Sequence, residues 1–215
     1  VRVAQQVGIA NVVQRAKALG LEPHFPQELA ISLGAVAVSP LNLTQAYAAF
    51  ANQGLGVRPR IITSISDPQG RVLYRQEVEH WQAVSPQNAY IMDTLLKEVV
   101  NSGTGGRARI DGRIIAGKTG TTNDERDAWF MGVTPNLVAG VWIGCEDQSA
   151  HLVTGGEGAS LALPVFGEFM KRVYADPSLG VRRTDRFYRP PGAIEYRCPD
   201  SAEGTGYSGD DEFFD

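Results

Sequence analysis

No stretch of this chain approaches the ~20 apolar residues that a membrane-crossing helix requires. No basic leader with an apolar core opens it either. It also lacks an initiating methionine and begins on Val1-Arg2-Val3-Ala4, inside an apolar pattern. The sequence therefore reads as a piece of a longer protein, and the missing leader says nothing about location. Cysteine is scarce. Cys145 and Cys198 have neither C-x-x-C nor zinc-ligand spacing; a disulfide between them stays open, and Cys145 is expected as a buried strand residue. His24 lies between two prolines with no second ligand beside it and is expected in a loop. Basic clustering is missing too: residues 200–215 hold six acids and no base, which leaves 20 basic against 18 acidic side chains in residues 1–199. A near-neutral body of this kind has no nucleic-acid footprint.

What is present is the composition of one globular domain. The 215 residues are 43% hydrophobic and 20% charged, enough for a real core and too few for two confident domains. The 24 glycines exceed the usual share of about 7% and imply many turns and close backbone approaches.

Periodicity divides the chain. Val3, Val7, Ile9, Val12, Val13, Ala16 and Leu19 suit one or two short helices closed by Gly20. Ser39-Pro40 is a helix start, a capping hydroxyl followed by a proline whose missing N–H costs nothing there. Leu43, Ala46, Tyr47 and Phe50 follow at helical spacing up to Gly54. Arg60–Ser66 and Arg71–Tyr74 flank Asp67-Pro68-Gln69-Gly70 as a hairpin. A second Ser-Pro start, Ser85-Pro86, leads an amphipathic helix through Met92, Leu95, Leu96, Val99 and Val100, followed by Gly103-Thr104-Gly105-Gly106 as a flexible elbow. Three consecutive antiparallel strands are predicted next: 113–121, 127–133 and 137–144. Their near-continuous apolar character predicts burial on both faces, with helices on both sides. A last helix is predicted with Ser160 as cap, Pro164 in its first turn, and Phe166, Phe169, Met170 and Val173 on one stripe. The fold class is thus α/β (α+β), an antiparallel sheet flanked by helices over residues 1–176, with 177–215 an extended or disordered acidic tail.

The chemistry concentrates in Arg113-Ile114-Ile115-Ala116-Gly117-Lys118-Thr119-Gly120-Thr121-Thr122. Gly112 to Thr119 satisfies the phosphate-loop pattern G-x-x-x-x-G-K-[ST]. Such a loop needs an apolar strand before its first glycine and a helix opening at the lysine. Here apolar residues occupy the loop positions, and Gly120-Thr121-Thr122-Asn123-Asp124 follows, so a P-loop NTPase is a distant alternative. Lys118-Thr119-Gly120 also fits the K-T-G element of acyl-transferring serine enzymes.

The flanks resemble the C-terminal half of the transpeptidase domain of class A (bifunctional, high-molecular-mass) penicillin-binding proteins. The resemblance rests on Leu33 to Leu43 with Ala46-Tyr47 and Phe50 to Gly54. It rests further on Gly103-Thr104-Gly105, and on Gly117 to Thr122 running into Asp127-Ala128-Trp129-Phe130 and Val141-Trp142-Ile143-Gly144. It implies the fold shared with serine β-lactamases, here as an incomplete domain, and a peptidoglycan D,D-transpeptidase that works through a serine acyl-enzyme and is inhibited by β-lactams. No metal or organic cofactor is implied. The partners implied are D-Ala-D-Ala stem peptides, β-lactams and the upstream half of the same protein. The location implied is extracytoplasmic, on the periplasmic side, anchored through that upstream region.

The resemblance carries roles onto single residues. Lys118 and Thr121 are the catalytic ones: a fixed cation that attracts the substrate's terminal carboxylate, and a backbone N–H in the oxyanion hole. Thr119, Gly120 and Thr122 are substrate-binding, with the hydroxyls of Thr119 and Thr121 available to the carboxylate. Gly117 and Gly120 are expected to keep the strand bare for a peptide to pair along it. The departure is equally specific. Gln14, Thr94, Ile115 and Glu168 stand three residues before the four lysines, so there is no S-x-x-K, and no serine has Asn two residues on. The chain can hold half an active site. The alternative from another class is a non-catalytic peptide- or β-lactam-binding module.

Overall fold

The computed structural model describes residues 1–147 and 149–193. Five α-helices lie among them: α1 (Arg2–Val7), α2 (Ile9–Ala18), α3 (Pro40–Ala51), α4 (Pro86–Asn101) and α5 (Leu163–Ala175). The strands are β1 (Leu55–Val57), β2 (Ser64–Ser66), β3 (Val72–Arg75), β4 (His80–Gln82), β5 (Ala116–Thr121), β6 (Asp127–Val133) and β7 (Val138–Gly144). β1 pairs with β4, β2 with β3, and β5-β6-β7 form a three-stranded antiparallel sheet in chain order. The fold is mixed α/β with antiparallel sheets.

Local chemistry explains most boundaries. Gly8, at φ 88°, separates α1 from α2, a left-handed backbone that a side chain would resist. Ser39 and Ser85 cap α3 and α4 by accepting from the N–H groups of Asn42 and Asn88, both at 3.2 Å. The β2–β3 turn is closed by the Asp67 carboxylate, which accepts from the backbone of Gln69 and Arg71 and from the Arg71 guanidinium.

The sheet has helices on both faces. On one, Ala128 and Phe130 of β6 pack with Val100, Ile115, Leu163, Phe166, Met170 and Val173. The Phe130 and Phe166 rings lie 4.9 Å apart. Gly132 is the clearance under that pair, because an added Cβ would sit 2.1 Å from the Phe166 ring. On the opposite face, Ala116 and Val133 pack with Phe50, Val84, Ala89, Leu96 and Phe187. Burying each of the large side chains is worth about 1.5–3 kcal/mol, so the sheet is clamped from both sides.

Several expectations need correction. The strand predicted from 113 starts at Ala116; residues 113–115 belong to no strand, and the Arg113 N–H donates to the Ile110 carbonyl at 3.0 Å. β6 is buried on both faces from Phe130 to Val133, whereas β7 is only half-buried and Trp142 is exposed. Cys145 lies just beyond β7 and is half-exposed, not in a strand; Cys198 is outside the described residues. Ser160 does not cap α5. It lies in a π-helical turn, Gly158–Ala162, where it closes a capping box with Glu157, and α5 begins directly from that turn with Pro164 in its first turn. Leu95 and Phe169 are 48% and 46% exposed and fall off the buried stripes. The β1–β4 pair and a 3₁₀ turn at Leu29–Leu33 had no periodic signal because each is only three to five residues long.

The packed body also runs past 176. Phe187 enters the core, Arg113 donates to the Val181 carbonyl, and the Arg182 N–H donates to the Asp185 carboxylate. The acidic stretch 200–215 lies outside the described residues.

The buried stripe of α4 is Ala89, Asp93, Leu96 and Val100. Asp93 is 3% exposed, and its Oδ1 has no hydrogen-bond partner. Burial pushes its pKa from 3.8 up to about 7, with Lys97 one turn on pulling partly back. The folded state therefore holds a proton that the unfolded state releases near pH 4. The Asp93 contribution to stability should be greatest below pH 4, fall as pH rises towards 7, and level off above it. Asp93→Asn should remove that slope and be more stable than the parent at pH 8, by roughly 4 kcal/mol at most. Urea unfolding of both proteins at pH 5 and pH 8 checks this; parallel stabilities would refute it.

Candidate active site

β5 is an edge strand, and its register decides which groups it offers. Thr121 pairs with Ala128 and Gly120 with Trp129, and the Thr122 N–H donates to the Asp127 carbonyl at 3.1 Å. Antiparallel pairs alternate between hydrogen-bonded and open. Ala116, Lys118 and Gly120 therefore point their N–H and C=O groups at β6, and Gly117, Thr119 and Thr121 point theirs outward. No backbone carbonyl among the described residues takes the N–H of Thr119 or Thr121.

Side chains alternate in the same way. Lys118 and Gly120 lie on the face of Met131 and Val133; Thr119 and Thr121 lie on the face of Phe130. The candidate residues thus converge at the strand's edge, not on one face. Lys118 curls to that edge, its Nζ donating to the Thr119 carbonyl at 2.7 Å. None of the ion pairs among the described residues involves it, so the ammonium keeps two protons for a ligand.

Each threonine is differently committed. Thr119 Oγ1 lies 2.8 Å from Thr104 Oγ1. Thr121 Oγ1 accepts from the Gly158 N–H at 3.1 Å and keeps its own proton to donate. Thr122 Oγ1 accepts from the Asp127 N–H at 2.8 Å and donates to the Asp127 carboxylate at 3.2 Å, so its one proton is committed within the turn. The same carboxylate accepts from Trp142 Nε1 at 2.8 Å, which ties the turn to β7.

The glycines have a different purpose from the one expected. A Cβ on Gly117 would meet the Phe130 ring and the Met131 carbonyl at 2.7 Å, and one on Gly120 would meet Trp129 Cβ at 3.2 Å. Both make room for β6 rather than for an incoming peptide.

Flanking loops fix the strand. Asp124 and Glu125, at φ 60° and 53°, form a left-handed pair without glycine, a strain of about 1 kcal/mol each. It is held by His151 Nδ1 donating to the Asp124 carbonyl, the Leu152 N–H to the Glu125 carbonyl, and the Gly155 N–H to the Glu125 carboxylate. Gly158 then lies against β5: a Cβ there would sit 2.4 Å from the Trp129 carbonyl oxygen and 2.5 Å from that of Gly120. Asp127 and Gly158 were missed as site residues in the sequence. The run Gly155-Gly156-Glu157-Gly158 was the one signal of a close backbone approach.

The phosphate-loop alternative fails here, because Lys118 and Thr119 lie inside a strand and not at a helix N-terminus. No cluster of three metal-ligating side chains occurs among the described residues. No helix among them is long and apolar enough to cross a membrane. A concavity of about 410 Å³ lies between α3 and the β6–β7 turn, but its lining, which includes Thr44, Gln45, Pro135 and Leu137, contains no charged side chain. The candidate residues named from the sequence lie instead along the open edge of β5.

Comparison with known proteins bears on the family and the fold. The penicillin binding protein transpeptidase domain family matches residues 5–171. Penicillin-binding protein 1A of Neisseria flavescens is 38% identical over 177 residues, which is 79% of this chain and 22% of the relative. The crystal structure of penicillin-binding protein 1A from Haemophilus influenzae is similar at a TM-score of 0.79 and 26% identity, covering 89% of this chain and 34% of that one. PonA1 of Mycobacterium tuberculosis, solved in complex with penicillin V, shares the fold at a TM-score of 0.67 and 23% identity, over 75% of this chain and 49% of that one. The chain spans about a quarter of the length of the curated relatives it matches.

The clearance at Gly158 is testable. Gly158→Ala should push the 155–162 segment off β5 and destabilise the protein by about 1–3 kcal/mol. Thr121→Val, which removes only the Gly158 N–H acceptor, should cost about 1 kcal/mol. Urea unfolding of the two variants reads the difference; equal costs would mean the close approach is not limiting.

Proposed function

The chain belongs to the penicillin-binding-protein transpeptidase family, and on that premise we propose that it carries the substrate-binding strand of a peptidoglycan D,D-transpeptidase. The observation that carries this reading is the outward-facing edge of β5, with the free N–H groups of Thr119 and Thr121 beside the unpaired ammonium of Lys118.

In the proposed reaction a serine from another part of the same protein, with a lysine as its base, attacks the penultimate D-alanyl carbonyl of a stem peptide. The oxygen of that carbonyl gains negative charge, and the Thr121 N–H donates to it. Removing one such donor costs about 2.7–4 kcal/mol of barrier. The C–N bond to the terminal D-alanine breaks, its amine leaves with the proton from the serine, and an ester remains on the enzyme. An amine from a neighbouring stem peptide attacks that ester, forms the cross-link and returns a proton to the serine.

The ammonium of Lys118 faces the terminal carboxylate electrostatically, and the hydroxyls of Thr119 and Thr121 donate to it. The Gly120 N–H and C=O are bound to β6, so Gly120 contributes the strand's shape and not a contact. Thr122 shapes the turn through Asp127. β-Lactams take the place of the D-Ala-D-Ala end, in keeping with the penicillin V complex of PonA1. The reaction requires no metal or organic cofactor. It belongs on the extracytoplasmic side, where the stem peptides are, with the anchor in the upstream region.

Lys118→Ala in the full-length protein should lower covalent labelling by penicillin by roughly 100-fold. Intact mass and peptide mapping after labelling locate the adduct, which is expected outside residues 1–215. An adduct on a serine of this chain would overturn the division of the site, and no adduct at all would favour a non-catalytic binding module.

A further inference from the structure

The loop after α4 is not the flexible elbow that its glycines suggest. The N–H groups of Gly103 and Gly105 both donate to the Val99 carbonyl, at 3.1 and 2.9 Å, and Ala108 N–H donates to the Gly105 carbonyl at 2.8 Å. A Cβ on Gly103 would sit 2.9 Å from the Val99 oxygen, and one on Gly105 3.1 Å from it. Glycine is needed at both places because the chain folds back tightly on the last turn of α4. The residue between them, Thr104, is held outward with its hydroxyl 2.8 Å from that of Thr119.

We propose that Thr104 is a positioning residue for carboxylate recognition: it donates its hydroxyl proton to Thr119 Oγ1 and so directs the Thr119 proton towards the substrate's terminal carboxylate. The inference rests on the transpeptidase reading above. Two hydroxyls that share one hydrogen bond have two protons between them, and only one is used in the bond. An anion at the strand edge selects the arrangement in which Thr104 donates inward and Thr119 outward, since an anion accepts and cannot donate. A donor that is itself accepting is polarised and donates more strongly, so the pair acts as a short relay. Thr104 touches no substrate atom in this scheme. It fixes the rotor of a hydroxyl that would otherwise turn freely in water.

The same hydrogen bonds tie the loop to the end of α4. An exposed hydroxyl on a mobile elbow would lose the oriented bond to rotor entropy, whereas the doubly used Val99 carbonyl anchors Thr104 to the end of α4.

The test uses the full-length protein with Thr104→Val and Thr104→Ser, and compares acylation rates by penicillin V and by its methyl ester, which lacks the negative charge. Thr104→Val should lower the rate with the free acid about 5- to 10-fold and leave that with the ester unchanged. Thr104→Ser should restore the acid rate, and the melting temperature should match the parent in both variants. An equal fall with acid and ester would mean that Thr104 acts only through loop structure, which overturns the inference. So would an unchanged acid rate in Thr104→Val. If the parent protein is acylated by neither compound, the transpeptidase reading fails and the inference with it.

Discussion

The register between β5 and β6 is the constraint on which the rest depends. Because Thr121 faces Ala128 in an open pair, its N–H and that of Thr119 point away from the sheet. A slip of one residue would turn Lys118 to the other face and bury both N–H groups in the ladder. What prevents the slip is chemistry on the far side of the strand. Gly117 and Gly120 fit only against Phe130, Met131 and Trp129, Gly132 fits only under Phe166, and the Thr122–Asp127–Trp142 bonds close the turn. The residues that present the site are thus registered by residues that never reach it.

That register is held in place by unequal walls. On the α5 side the wall is apolar and close-packed around Phe130 and Phe166. On the other side α4 brings a buried, unpartnered carboxyl, Asp93, into the stripe that also supplies Ala89 and Leu96. α4 also carries the Thr104 loop at its C-terminal end, so the same helix both supports β5 and sets a hydroxyl against it. Burial favours the neutral carboxyl, which is a tolerable presence in that wall, whereas the charged form would oppose the packing that aligns the loop.

The sequence made some of this legible and hid the rest for definable reasons. Ser39-Pro40 and Ser85-Pro86 marked helix starts to the residue, because capping is a local event. The three-stranded order was readable from apolar runs broken by turn residues. The buried stripe of α4 was misjudged because Asp93 replaces an apolar residue at a core position, which pulled Leu95 into the pattern in its place. The candidate residues stand in the sequence as a string, Lys118 to Thr122, but their division between two faces and an edge follows from pairing. The partners Thr104 and Gly158 lie 15 and 37 positions away from the threonines they meet, and no periodicity reports such contacts. The K-T-G string and the phosphate-loop string share the same letters, and only the strand environment separates them.

An open edge strand is ordinarily a hazard, since its unpaired N–H groups invite other chains. β5 limits that hazard in three ways visible here. It is six residues long, it places a lysine in the middle of the edge, and loops bonded to its threonine hydroxyls crowd one face from both ends. These features do not close the edge; on the proposed reading they narrow what pairs with it to a short extended peptide that ends in an anion. The same features that keep the edge from aggregating therefore give it a preference, and a strand that is hard to extend becomes one that can select. On this view the hydroxyls of Thr119 and Thr121 are the selective part, because each ends in a donor placed by a bond from elsewhere in the fold, from Thr104 and from Gly158, and Lys118 supplies attraction without direction.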